Sequence, residues 1–222
     1  MLYEQKYGVE VEGVTPNLMH WDNIEWADQL EEKRTWLKEN DRKKFKAGDD
    51  RCPPDTWKGW TYNDGKTVCW PADNMRSCLM KAGAQLTLQG KRSYKSVSQS
   101  GIMFNEFFLS FLVNGKPLPW PPIEAIDGDF KQQAAKAKAM GFELFMKRVR
   151  IGQAKHVRVR PRFDDWKLKF TITVIDEQIT EKIVYDLFSL AGRRVGFSDW
   201  RPGSPQSPGQ FGLFRAEVAK GA

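Results

Sequence analysis

The sequence predicts an α+β fold in which an antiparallel sheet carries its helices on one face. Three observations point there. Apolar and polar residues alternate in 3–13 and again in 166–174, the period of a half-buried strand. Apolar residues recur at helical spacing in 71–83 and 180–192. At 222 residues, with 41% hydrophobic and 13% aromatic content, the chain suits one core and a single domain spanning 1–222.

The first strand, 3–13, carries Tyr7, Val9 and Val11 on one side and ends near Thr15-Pro16. EWADQLEEKRTWLKEN, 25–40, reads as a helix with Trp26, Leu30 and Leu37 on one face and i,i+4 charge pairs around them. Residues 41–68 are polar, contain Gly and Pro, and read as a large insertion. Pro71 opens the next helix, Met75, Cys78, Leu79 and Ala82 form its apolar face, and Gly83 stops it. IMFNEFFLSFLV, 102–113, reads as one buried strand. KPLPWPP, 116–122, reads as an extended loop stiffened by proline.

DFKQQAAKAKAM, 129–140, is an Ala-rich helix stopped at Gly141. Trp166, Leu168, Phe170, Ile172 and Val174 then alternate with Lys167, Lys169, Thr171 and Thr173 in a strand. Thr180 caps a helix with Ile183, Leu187 and Leu190 inside and Gly192 as its stop. After the loop GSPQSPGQ, 203–210, a last strand turns Phe214, Ala216 and Val218 inward. With the insertions removed, the order strand, helix, strand, strand, helix, strand is a ferredoxin-like βαββαβ core.

Charge distribution points to a partner. The net charge is +7, from 35 Lys and Arg against 28 Asp and Glu. Seven basic residues and no acid lie in one short stretch: Lys147, Arg148, Arg150, Lys155, Arg158, Arg160 and Arg162. Residues 57–102 hold a second surplus of five, so the rest of the chain is net acidic. Such concentration is the footprint of a phosphate-binding surface. MKRVRIGQAKHVRVRPRF, 146–163, reads as a hairpin around a Gly152-Gln153 turn that projects from the sheet. Alternation would put Val149, Ile151, Val157 and Val159 on one face and the arginines on the other. Like charges facing across a hairpin repel, and bound phosphates relieve that repulsion. In GKRSYKSVSQSG, 90–101, Lys91, Arg92 and Lys95 surround Tyr94 in what reads as a flexible loop suited to backbone tracking and base stacking. Trp57, Trp60 and Tyr62 lie beside Lys58, as base platforms or as packing within the insertion.

Other chemistry finds less support. Cys52, Cys69 and Cys78 lack a Cys-x-x-Cys spacing, which argues against a zinc knuckle or a disulfide framework. His20 and His156 are the two histidines, and there is no P-loop. Asp41-x-Lys43 and Asp165-x-Lys167 match a short nuclease element, without a convincing acidic partner upstream. No run approaches the roughly 18 apolar residues of a membrane span. The N-terminus lacks the order of a signal peptide, so a cytoplasmic protein without a membrane partner is expected.

AGRRVGFSDWRPGSPQSPGQFGLFRAEV resembles the ending of an uncharacterised family of proteins encoded by tailed phages and prophages. That family carries AGR-x-VG-x-x-DWRP, a Gly/Pro loop, then G-x-FG-x-F. It also tends to carry the element present here as Arg160-Pro161-Arg162-Phe163 with Trp166. More distantly, the architecture is similar to the RAMP superfamily of CRISPR effector backbone proteins, which coat RNA as filaments. These resemblances imply a phage-related role in a bacterial host cytoplasm and a homo-oligomer or filament along the ligand. For Arg193, Arg194 and Arg201 near Asp199, a structural salt-bridge knot is expected ahead of contact with phosphate. The combined expectation is a non-enzymatic protein, without cofactor or metal, that binds single-stranded DNA or RNA. The alternative is a phage accessory or inhibitor protein that meets an acidic host or CRISPR-complex partner.

Overall fold

A computed structural model describes residues 3–40, 53–151, 154–205 and 208–221, with 30, 33–34, 37–38, 53–55, 148–151 and 154–156 described by their backbone alone. Strand β1 is Gln5–Gly13, β2 Asn17–Leu18, α1 Ile24–Asn40, α2 Pro53–Gly59, β3 Cys69–Pro71 and α3 Ala72–Gly83. Strands β4, Thr87–Gln89, and β5, Arg92–Ser93, precede α4, Lys95–Gly101. Next come β6, Ile102–Phe104, β7, Phe108–Val113, β8, Lys116–Pro117, α5, Trp120–Glu124, and α6, Phe130–Ala139. The chain closes with β9, Glu143–Ile151, β10, Ala154–Phe163, β11, Trp166–Val174, α7, Glu181–Leu190, a π-helical turn at Ala191–Val195, and β12, Phe214–Lys220.

The main sheet runs β12-β1-β11-β7-β3, with β6 also on β11 and β8 on β7, and every one of these pairings is antiparallel. The class is therefore α+β, as the sequence predicts. Strands β2, β10 and β9 form a second, smaller sheet. One face of the main sheet buries Tyr7, Val9 and Val11 with Trp166, Leu168, Phe170, Ile172 and Val174. Met75, Cys78, Leu79 and Ala82 of α3 and Val184, Leu187 and Phe188 of α7 complete that core. The opposite face is charge-balanced, with Lys167 on Glu12 and Lys169 on Glu10, both at 3.0 Å.

Capping chemistry sets several boundaries. Asp129 and Gln132 form a reciprocal capping box at α6, and Gly141 after it takes a φ of +94°. Thr180 caps α7 as expected. Pro71 stands one position outside α3 instead of within it. Gly192 does not end its helix, because the chain runs on into the π-helical turn. There a Cβ on Gly192 would lie 2.2 Å from the Phe214 carbonyl oxygen, so glycine lets β12 pass close by.

Four expectations need correction. Residues 102–113 are two strands, because Asn105–Phe107 bulge out between the segments that pair with β11. Glu106 in that bulge accepts from the Thr171 amide and hydroxyl, and Phe107 is 91% exposed. The proline-rich stretch is not wholly a loop, since Pro121 and Pro122 occupy the first turn of α5, where a missing N–H costs nothing. Residues 90–101 are a strand and a helix packed on α3, not a flexible loop. Within the insertion, 41–52 lies outside the described residues, while 53–59 is helical and seats Trp57 in the core. Trp57 donates to Gln133 at 2.8 Å, so its indole belongs to the packing and not to a ligand surface.

Candidate nucleic-acid interface

The strand register of the basic hairpin decides which residues share a face; Gly152 and Gln153, read as its turn, lie outside the described residues. Ile151 pairs with Ala154, and the register then sets Lys147 opposite Arg158, Phe145 opposite Arg160 and Glu143 opposite Arg162. Arg148 pairs with Val157 instead. Paired positions in an antiparallel ladder share a face, and a slip of one residue exchanges the faces. Positions 148 and 150 therefore lie opposite to 158, 160 and 162, so the single guanidinium face expected from alternation does not form. The side chains of Arg148, Arg150 and Lys155 lie outside the described residues.

The second strand meets the DWRP segment. Leu18 of β2 pairs with Arg162, and its backbone N–H donates to the Ser198 hydroxyl at 2.7 Å. Asn17 donates to the Phe197 carbonyl at 2.6 Å, and the Asp199 amide donates to the Leu18 carbonyl at 3.0 Å. These bonds fasten the loop after the π-helical turn alongside β10. Asp199 consequently reaches Arg160, with Nε to Oδ2 at 2.5 Å. The expected knot of Asp199 with Arg193, Arg194 and Arg201 is corrected. Arg193 and Arg194 are exposed, and Arg201 donates to the Ser198 carbonyl at 2.9 Å.

Arg160 is 5% exposed and lies against two indoles, 4.0 Å from the Trp200 centroid and 5.2 Å from that of Trp60. Lys147 is also 4.0 Å from the Trp200 ring, and Arg158 is 5.2 Å from the Trp60 ring. The result is a row of cations on aromatic rings, in which each contact at partly wet sites is worth about 0.5–1 kcal/mol. Trp200 adopts a φ of +50°, a left-handed conformation that costs a bulky residue about 1–2 kcal/mol and recurs at functional positions. Gly209 permits it, since a Cβ there would lie 2.1 Å from the Trp200 carbonyl oxygen.

The predicted residues are thus divided. Lys147 is exposed and Arg158 half-buried beside Trp60. Arg160 is buried against Asp199, and Arg162 is held by Asp164 at 2.7 Å and Glu143 at 3.7 Å. Both are already engaged by carboxylates, contrary to the water-facing ribbon. Lys91, Arg92 and Lys95 are exposed on the β4–β5 hairpin and the start of α4. Tyr94 is 8% exposed and packs in the core, so its ring is not a base platform.

A cavity of about 280 Å³ with mixed polar and apolar walls lies beside this row, lined among others by His20, Tyr62, Trp70, Asn74, Asp199 and Arg201. His20 joins the two features. Its ring meets Trp60 edge-on at 5.0 Å, and its Nδ1 is 3.9 Å from Asp199. Burial, then the Arg160 guanidinium, hold its imidazole below the ordinary value, against an opposing pull from Asp199. Cys78 also lines the cavity, but burial pushes its thiol up to about 12, which leaves it protonated and unreactive. Nothing in the sequence signalled the cavity or the Arg160–Asp199 pair, whose members stand far apart in the chain.

Among the described residues no group of three or more His, Cys, Asp and Glu gathers as a metal site, and no helix is long and apolar enough to cross a membrane. Of the two nuclease elements, Asp41-x-Lys43 lies outside the described residues, and Lys167 of the other is engaged by Glu12. No protein-family model matches the chain, and no curated protein matches it.

Proposed function

We propose that this protein binds single-stranded nucleic acid, DNA or RNA, without turning it over. The observation that carries the reading is the row Lys147, Trp200, Arg160, Trp60 and Arg158, in which the exposed Lys147 and the half-buried Arg158 lie on indole rings to either side of the buried Arg160. Single strands are gripped by cations that track the phosphates beside aromatic rings that take bases, and of the two indoles the half-buried Trp60 has surface for a base while Trp200 is buried. The buried Arg160 acts as the brace that positions both indoles, while Lys147 and Arg158 meet phosphate. Lys91, Arg92 and Lys95 supply a second basic patch.

A ferredoxin-like core is part of the same proposal. Counting β1, β6 with β7, β11 and β12 as strands one to four, their order across the sheet is four, one, three, two. Helices α3 and α7 lie in the two crossovers and pack together, which supports a pair of split βαβ units. The DWRP ending supports a phage-related setting.

The test is fluorescence anisotropy with labelled single strands of about 20 nucleotides, titrated at several salt concentrations. Binding should weaken steeply with salt. Lys147→Glu with Arg158→Glu should weaken it at least about tenfold and reduce the salt slope by about 1.4, or 0.7 per lost contact, with a loss of stability no larger than the about 1–2 kcal/mol of two cation–aromatic contacts. Charge reversal at Arg160 is not a surface test, because it would place a carboxylate beside Asp199. Absence of salt-sensitive binding to either polymer at low salt overturns the proposal. A nuclease-resistant complex with an acidic protein would move the assignment to the alternative.

A further inference from the structure

We propose that the cavity beside Asp199 takes one nucleobase, splayed out of the strand held on the cation–indole row. The inference rests on the single-strand reading and adds a subsite to it. Its first support is continuity. Asp199 lines the cavity and also holds Arg160, and His20 lines it while its ring touches Trp60. A base leaving the row therefore meets the cavity without the backbone changing course.

Size sets the occupant. About 280 Å³ lies at the small end of the roughly 300–1,000 Å³ of small-ligand sites, so one unit of a polymer enters and a stretch of it does not. The walls match a flat heterocycle with mixed edges. Tyr62, Trp70 and Phe197 form an aromatic side, with neighbouring centroids 4.6 Å apart. Asn74, Ser77, Asp199 and Arg201 offer both donors and acceptors. Splayed bases are recognised in this way, by aromatic contact and hydrogen bonds along their edges.

Charge favours a base over a phosphate. The charged groups in the lining are two carboxylates, Asp73 and Asp199, and one guanidinium, Arg201, while the imidazole of His20 is held below its ordinary value. A phosphate would therefore meet more acid than base at the walls, whereas an uncharged heterocycle carries no charge to be repelled.

The experiment separates this subsite from the row. Tryptophan fluorescence is titrated with AMP, GMP, CMP and UMP, and with ribose 5-phosphate as the baseless control. Wild-type protein is compared with Ser77→Trp, an exposed α3 position whose new indole fills the cavity, and with Asn74→Leu, which removes edge contacts. At least one mononucleotide should saturate at or below about 1 mM, and ribose 5-phosphate should not. Either variant should abolish that signal and weaken the single strand about tenfold, leaving its salt slope unchanged. Lys147→Glu with Arg158→Glu should change the salt slope and leave mononucleotide binding intact. If single strands bind but no mononucleotide does, or ribose 5-phosphate binds equally well, or both variants bind strands as wild type does, the subsite is refuted and the single-strand reading survives. If no single strand binds, that reading falls first.

Discussion

Arg160 shows how a residue type changes meaning once its neighbour is known. In the chain it is one of seven clustered cations, yet in the fold it is buried against Asp199 and two indoles. Removing one partner of such a pair strands the other charge in a poorly solvated place. Asp199→Ala should therefore lower unfolding free energy by about 3 kcal/mol, read from urea titration. Arg160→Met added to it should recover at least half, because the uncompensated guanidinium is gone. If the double variant is no more stable than the single, the pair is not the source of the loss. His20 gives a pH signature at the same spot. Its depressed value means that the unfolded chain binds a proton the folded protein excludes. The stability it contributes is full above its ordinary value of 6.5 and is lost as pH falls through the lowered one. The melting temperature should drop between about pH 7 and pH 5, and His20→Gln should flatten part of that drop. An unchanged pH profile in the variant would remove His20 from the account.

At the scale of elements, β11 and α3 were legible residue by residue, whereas in α7 the buried residues are Val184, Leu187 and Phe188 and the expected Ile183 and Leu190 are half-buried. In β11 every residue placed inside by alternation is buried, and in α3 Met75, Cys78, Leu79 and Ala82 all are. Elements shaped by a partner were not legible. The bulge at Asn105–Phe107 exists to let Glu106 bond Thr171, and no periodicity announces it. The hairpin register is a different case. A two-residue turn at Gly152-Gln153 already implies that Ile151 faces Ala154, and with it the opposed faces of Arg148 and Arg158. Gly192 offers a test at this scale. Ala there should cost about 2 kcal/mol or more by pushing β12 away from the π-helical turn, measured by chemical denaturation. A neutral Gly192→Ala would mean that the backbone gives way freely.

At the scale of the molecule, β12 closes the sheet over β1, pairing Gly13 with Phe214 through Tyr7 with Lys220. Truncation after residue 213 would bare the long edge of β1 and remove the buried Phe214. Such a chain should aggregate on expression or elute as oligomers in size-exclusion chromatography. A monomeric, cooperatively folding truncation would show that β12 is dispensable. The same closure carries the chain past Asp199, so the integrity of the sheet and of the candidate site are linked.

Class and the inward faces of β1, β11 and α3 follow from local periodicity, because burial acts on every residue of a strand or helix and leaves its mark at short range. Concentration of positive charge is equally readable, being a property of composition. The pairing of Arg160 with Asp199, the indoles that flank it and the cavity beside them required the folded chain. Each joins segments tens of residues apart through β2, where Leu18 touches both Arg162 and Ser198. Contacts of that range are set by how sheets and loops pack, and no stretch of sequence contains them.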